Sequence, residues 1–369
     1  MTTARHFTTI GVLALLPVAG VQAQEFHIIG QGFTPTAISD NGVVAGTSDS
    51  LGQYFTWTVD GGVNAIGGLV NAGGQASISN DGTRIGGTNL NTATGLAEMG
   101  FYDTTIGAWT NLGGIGGMSD GSTSSGWGLS GDGSYAVGLG WVNAGTAHAI
   151  QWSEGVGTFD LGSTVPDRSS RANAVNGDGA VVVGWQDGPT GFRQGAVWNN
   201  GVQTTIFDND GVEVREASAV SDDGQWGTGI ASGTAGGRYN TFTEVFSYID
   251  ALDGDFFIPT TFGSDISNDG RTIIGAVGGF GPPTGRIGMI WREGMGTMRI
   301  DEFLTAQGVA FEDGFSFFGP FAMSNDGNTF AGWGLGSQGI VGWVATVPAP
   351  ASTTLFAAGL IAATRRRRD

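Results

Sequence analysis

"ISNDGRTIIG", residues Ile266–Gly275, is the stretch on which the reading of this chain turns. An apolar residue, a serine, an Asn-Asp-Gly turn and an alternating apolar run describe a strand, a tight turn that needs left-handed glycine geometry, and a second strand. The phrase recurs as "ISDNGVVAG" from Ile38, "ISNDGTRIGG" from Ile78, "LSGDGSYAVG" from Leu129, "VNGDGAVVVG" from Val175, "VSDDGQWGTG" from Val220 and "MSNDGNTFAG" from Met323. Its turn glycines, Gly42, Gly82, Gly133, Gly179, Gly224, Gly270 and Gly327, stand 40, 51, 46, 45, 46 and 57 residues apart. A second hairpin follows in each unit, clearest in "AIQWSEGVGTFDLG" and "AVWNNGVQTTIF". Trp57 to Ile66, Trp152 to Leu161, Trp198 to Phe207 and Trp291 to Ile300 are all nine apart. Two hairpins make four strands, and seven four-stranded units at this period describe an all-β, seven-bladed β-propeller.

A propeller must close its ring or leave raw sheet edges. The seventh unit stops after Trp343, one strand short, whereas "FHIIG", Phe26–Gly30, stands alone before the first unit and matches fourth-strand endings such as "TFDLG". The N-terminal strand is therefore expected to complete the seventh blade.

Composition fits a folded, turn-rich chain: 40 % of the residues are hydrophobic and 69 of 369 are glycine, with no Gly-X-Y period. Lysine and cysteine are absent, which removes phosphate-binding loops, disulfides and thiolate metal sites. Setting aside Arg5 and the tail Arg365–Asp369, 10 basic face 32 acidic residues, a balance of about −22 that repels phosphate backbones and argues against nucleic acid.

The two ends read as addresses. Arg5 followed by the apolar "IGVLALLPVAGVQA" has the form of a signal peptide over residues 1–23, with cleavage between Ala23 and Gln24. At the other end, Val347, Pro348 and Pro350 precede an uncharged run, Ala351–Thr364, and the cluster Arg365, Arg366, Arg367 and Arg368. The run is short for a membrane span, and the arginines favour the cytoplasmic side. This tail, residues 347–369, resembles the PEP-CTERM sorting signal of Gram-negative bacteria, with Ala349 where the family has Glu. The resemblance implies a transiently membrane-inserted precursor, an exosortase-type processing enzyme as partner, and a cell-surface or matrix destination associated with exopolysaccharide and biofilm. "AHAIQW", Ala147–Trp152, resembles the HAF repeat of extracellular bacterial proteins, with Ile150 in place of the Phe; this resemblance bears on location and repeat architecture.

Chemistry is sparse in the intervening domain, residues 24–346. His27 and His148 are expected at strand positions away from any carboxylate and serine cluster, and no nucleophile-elbow motif is present. The repeated turns hold Asp40, Asp81, Asp132, Asp178, Asp222, Asp223, Asp269 and Asp326, expected to bond their own turn backbone. No metal site or cofactor is assigned; the nearest approach to a calcium loop is Asp208, Asp210 and Glu213 in "FDNDGVEV". Trp141, Trp185 and Trp333 are expected just past the second strands of their blades, where exposed indoles stack on sugar rings. An enzyme should gather carboxylates at one channel mouth and a scaffold should scatter them over solvent turns; they follow the turn period, which points to a scaffold. The expectation is an exported, monomeric, non-catalytic propeller binding polysaccharide or surface proteins, the alternative being a secreted hydrolase or lyase acting on glycans.

Overall fold

Seven four-stranded antiparallel sheets surround a central channel in the computed structural model, which describes residues 24–230, 236–250, 252, 260–278 and 285–348. The strands that line the channel are Phe33–Ile38, Ser77–Ile78, Ser124–Leu129, Ser170–Val175, Glu216–Val220, Thr261–Ile266 and Ser316–Met323, one per blade, numbered here one to seven. Later strands of each blade follow outward in chain order; a single backbone bridge, Ile230 to Phe262, also links blades five and six. Blade seven takes its outer strand from the N-terminus: Glu25–Gln31 pairs with Gly339–Thr346 from Glu25 opposite Thr346 to Gln31 opposite Val341. The ring closes as the missing fourth strand requires.

The core lies between blades rather than on the axis. Val137, Ala149 and Leu161 of blade three, for instance, pack with Ala172, Val182, Ala196 and Trp198 of blade four. The closing strand enters the largest such cluster, where Phe26 meets Phe315 edge-on at 5.3 Å and lies near-parallel to Trp343 at 6.3 Å. An element absent from the repeat reading, helix Ile300–Ala306, inserts Ile300, Phe303 and Leu304 into the same cluster and accounts for part of the 57-residue interval.

Two details of the repeat reading are corrected. Ile300 is buried as the nine-residue spacing implies, but it starts the helix, because blade six's outer strand ends at Arg299. In blade four the buried residue is Ile206, and Phe207 is exposed, because Trp198 pairs with Gln203 whereas Trp152 pairs with Thr158, making that hairpin one residue shorter. Val347, assigned by the sequence to the sorting tail, is fully buried in the blade-seven core, and its N–H donates to Asn328 O at 2.8 Å. Pro348 follows it, while Ala23, Pro350 and Arg365–Arg368 lie outside the described residues. Among the described residues no helix is long and apolar enough to cross a membrane.

Candidate binding site at the channel mouth

Each turn of the repeated phrase has one construction. Its glycine sits at φ between 68° and 83°, a region closed to most side chains. The Ser or Asn before the turn donates to the Asp or Asn preceding that glycine at 2.5–2.8 Å in all seven units. In six units the same carboxylate also accepts the N–H two residues on, at 2.8–3.0 Å. Asp81, Asp132, Asp178, Asp223, Asp269 and Asp326 are thus committed to their own turns, and these bonds hold Asp81 below the usual carboxylate range, the Ser79 hydroxyl contributing most.

A ring brings all seven turns to one end of the channel, so following the turn period and gathering at a mouth are the same arrangement here, and the contrast drawn from sequence does not discriminate. The second residue of each turn faces the axis. Asp40 N donates to Asn80 O, Asn80 N to Gly131 O, and Gly177 N to Asp222 O, at 2.7–2.9 Å. Asp222 N donates to Asn268 Oδ1, and Asn325 bonds both carboxylate oxygens of Asp40, stitching blade seven to blade one. Across the axis, Asn80 Nδ2 donates to Asp222 Oδ2 at 2.8 Å. Gly131 is bare because a Cβ there would come within 2.5 Å of Asn80 Nδ2 and 2.7 Å of the Asp222 oxygens. The Asn80–Asp222 bond closes the axis on one side of this end, beside a cavity of about 330 Å³ on Asp40, Asn268, Asn325 and Asp326, and Arg84, Gln151, Arg238 and Arg292 each tie the end down by donating to the turn-glycine carbonyl of the next blade at 2.8–2.9 Å.

Above it the channel is ringed by Ile38, Ile78, Leu129, Val175, Val220, Ile266 and Met323, one apolar residue per blade. It then opens into a mouth of about 320 Å³. A β-bulge shapes that mouth. The register slips between 35 and 37, 126 and 128, 172 and 174, 217 and 219, 263 and 265, and 320 and 322, so in six of the seven inner strands one extra residue is unpaired. Those residues are Thr36, Trp127, Asn173, Ser218, Ser264 and Phe321, and all six line the wide mouth; blade two, whose inner strand is only two residues long, supplies Gln75 instead. Bulges re-aim side chains, and these six share one frame while mixing hydroxyl, amide and aromatic groups.

Behind the bulged residues stands a cation–aromatic stack. The Arg171 guanidinium lies 3.6 Å from the Trp127 ring and 5.2 Å from the Trp185 ring, and Arg193 lies 4.2 Å from Trp185. Glu216 joins the two arginines, Oε1 to Arg171 Nη2 at 2.8 Å and Oε2 to Arg193 Nη1 at 2.7 Å. Asn173 accepts from Arg171 Nε and donates to Glu216 Oε1. Burial pulls Arg171 down to about 10, with Glu216 opposing, so it stays cationic at neutral pH. Opposite, Arg286 lies 5.6 Å from Phe262, and Phe321 stacks on Trp333 at 6.0 Å.

One further carboxyl borders the channel. Asp265 stands where the other blades carry Ala, Gly or Ser, and protein crowds it on all sides but the channel, so burial raises it to about 7. Met323 N and Ile266 N donate to its oxygens at 2.9 and 2.8 Å and oppose that rise.

The residues singled out from sequence fall differently. Trp141, Trp185 and Trp333 lie within their second strands, which run Tyr135–Trp141, Val181–Asp187 and Thr329–Gly336, rather than beyond them. Trp185 is buried behind the arginines, Trp333 is half-buried behind Phe321, and Trp141 does not line the mouth. The mouth tryptophan is Trp127. For the calcium candidates, Asp208 accepts the N–H groups of Asp210 and Val212, Asp210 faces the Tyr248 hydroxyl, and Glu213 accepts from Gln194, so the three do not converge. No group of three metal-ligating side chains occurs among the described residues. The histidines, expected at strand positions away from a carboxylate and serine cluster, lie in strands and each pairs with one carboxylate: His148 with Asp160 and His27 with Glu25, both at 2.9 Å.

No protein-family model and no curated protein matches this chain. Similar solved structures are propeller proteins. An oligogalacturonate lyase in complex with manganese has a TM-score of 0.53 at 11 % identity, covering 89 % of this chain and 94 % of its own. The oligogalacturonate lyase of Vibrio parahaemolyticus has the same score and identity, covering 89 % and 98 %. TolB from Acinetobacter baumannii scores 0.44 at 12 % identity, covering 72 % of this chain and 62 % of its own. At 11 % identity the likeness to the two lyases bears on the propeller fold alone.

Proposed function

We propose that this chain is an exported surface or matrix propeller that binds carbohydrate at the wide mouth of its channel without transforming it. The observation that carries the reading is the bulge repeated in six inner strands, which gathers hydroxyl, amide and aromatic side chains into one mouth beside a cation–aromatic stack. Aromatic faces at Trp127, Phe262 and Phe321 suit the C–H face of a sugar ring, and Gln75, Thr36, Ser218 and Ser264 suit its hydroxyls. The carboxylate at the mouth, Glu216, has an arginine on each oxygen, which leaves it poorly placed to act as a general base.

The tail resemblance supports delivery to the cell surface through an exosortase-type enzyme, in an exopolysaccharide setting, with the chain acting as a monomer. Mass spectrometry of the protein recovered outside the cell tests delivery: loss of everything beyond the Pro348–Pro350 region supports sorting, and a chain still carrying Arg365–Arg368 sinks it. A glycan array probed with the purified protein, alongside fractionation of the matrix, tests the binding role.

Asp265 favours a second reading, a glycan hydrolase or lyase, because a carboxyl raised to about 7 inside a channel is poised for proton transfer. Turnover of an oligosaccharide that disappears in Asp265→Asn would establish it over the binding role.

A further inference from the structure

Resting on the carbohydrate-binding reading above, we infer that the wide mouth takes the terminal residue of a carboxylated glycan, seated end-on with its carboxylate on Arg193.

The sign of the ligand follows from charge placement. The whole chain carries a formal net charge of −18, with ten arginines between its two ends. Three of the ten, Arg171, Arg193 and Arg286, line one mouth, against the single carboxylate Glu216. Other arginines serve the frame, as Arg84, Arg238 and Arg292 do in clasping the next blade's turn. A neutral glycan gives no reason to concentrate cations in an otherwise acidic molecule, whereas a carboxylate, repelled elsewhere, is drawn to this opening. Arg193 is the donor placed to receive it. It spends Nη1 on Glu216, its side chain is 47 % exposed, and the rest of its planar fork remains for a second carboxylate. Glu216 and Trp185 fix that fork, while Arg171, only 13 % exposed between two indoles, reinforces the field from behind.

The end-on pose follows from the shape. A polymer crossing the mouth in mid-chain needs an open groove, and one threading the channel needs an exit. Here the opening of about 320 Å³ leads to a ring of seven apolar residues, and the Asn80–Asp222 bond beyond it lies across the path of a threaded chain. The mouth is at the small end of ligand pockets, roughly 300–1,000 Å³. A mouth of that size, crossed behind by a bond, suits a chain terminus.

Titration calorimetry of the full chain tests both parts, with a tri-uronate oligosaccharide, its carboxyl-reduced counterpart of the same linkage, and the parent polymer as probes. The tri-uronate is expected to bind, the reduced form about tenfold or more weaker, and Arg193→Gln to lose about tenfold for the tri-uronate with little change for the reduced form. Long polymer is expected to take up one protein per chain end whatever its length. Equal affinity for the two trisaccharides overturns the carboxylate assignment while leaving carbohydrate binding intact. Several proteins bound along one polymer overturn the end-on pose. Binding of a poly-glutamate peptide in preference to the uronate replaces the glycan with an acidic protein segment, and binding of none of these by the folded protein sinks both this inference and the reading beneath it. Retention of the Arg193→Gln melting temperature separates a lost contact from a lost fold.

Discussion

The two ends of the channel are made by the same seven strands and have opposite characters. At the closed end every unit repeats one device: a Ser or Asn, a turn Asx that accepts its bond, and a glycine with positive φ. Three residues before that Ser or Asn, just ahead of the phrase in six units, a bulge delivers Thr, Trp, Asn, Ser, Ser and Phe to the open end. Repetition holds the ring together, and departure from repetition at a fixed structural position shapes what the ring can hold.

The ring itself is the largest lever. Deleting Glu25–Gln31 removes the outer strand of blade seven and takes Phe26 from the largest core cluster. The expected cost exceeds about 4 kcal/mol, with loss of the single cooperative melt. A truncated chain that melts like the intact one would show that closure contributes nothing to either end.

Next in size is the closed end alone. Gly131→Ala puts a Cβ against both partners of the cross-channel bond. About 1–3 kcal/mol is expected to be lost, seen as a lower denaturant midpoint with unchanged ligand affinity. A change in affinity of similar weight would mean that the two ends are not separate.

Asp265 gives a smaller, pH-dependent signature. Its carboxyl is raised to about 7 in the fold against 3.8 in the unfolded chain, so the folded state holds this proton more tightly. The stability it contributes is complete below about pH 4 and is lost as pH rises through 7. Melting curves from pH 4 to 8 should show Asp265→Asn gaining on the native chain as pH rises, by roughly 2 kcal/mol in all, less than the full shift implies because the carboxyl borders channel water. Parallel curves would contradict the burial argument.

Most of the fold was legible because its constant part is written in residues with one physical meaning. Asx-Gly at a regular interval forces a turn, and a lone strand at one terminus with a gap at the other forces closure. Helix Ile300–Ala306 was not legible, since it appears once and fits no repeat. The mouth was missed for a different reason: tryptophans were chosen by their place after the second strand, where Trp185 and Trp333 prove to be backing. A signal did exist. Two residues before the apolar residue of each phrase, the chain reads Thr36, Ala76, Trp127, Asn173, Ser218, Ser264 and Phe321, a varied column beside small neighbours such as Ala37, Gly128, Ala174, Ala219 and Ala322. Only the bulge, which depends on how two strands pair, reveals that this column faces the channel.

The separation of the two ends is tested most directly by measuring melting temperature and affinity together in one variant from each. Trp127→Ala takes a bulged residue from the open end, and Asp222→Ala takes the cross-channel acceptor from the closed end. Against the oligosaccharide selected on the array, Trp127→Ala is expected to lose about tenfold or more in affinity with little change in melting temperature. Asp222→Ala is expected to melt about 2 °C or more lower and to bind as the native chain does. Affinity that falls with Asp222→Ala and survives Trp127→Ala would contradict the account.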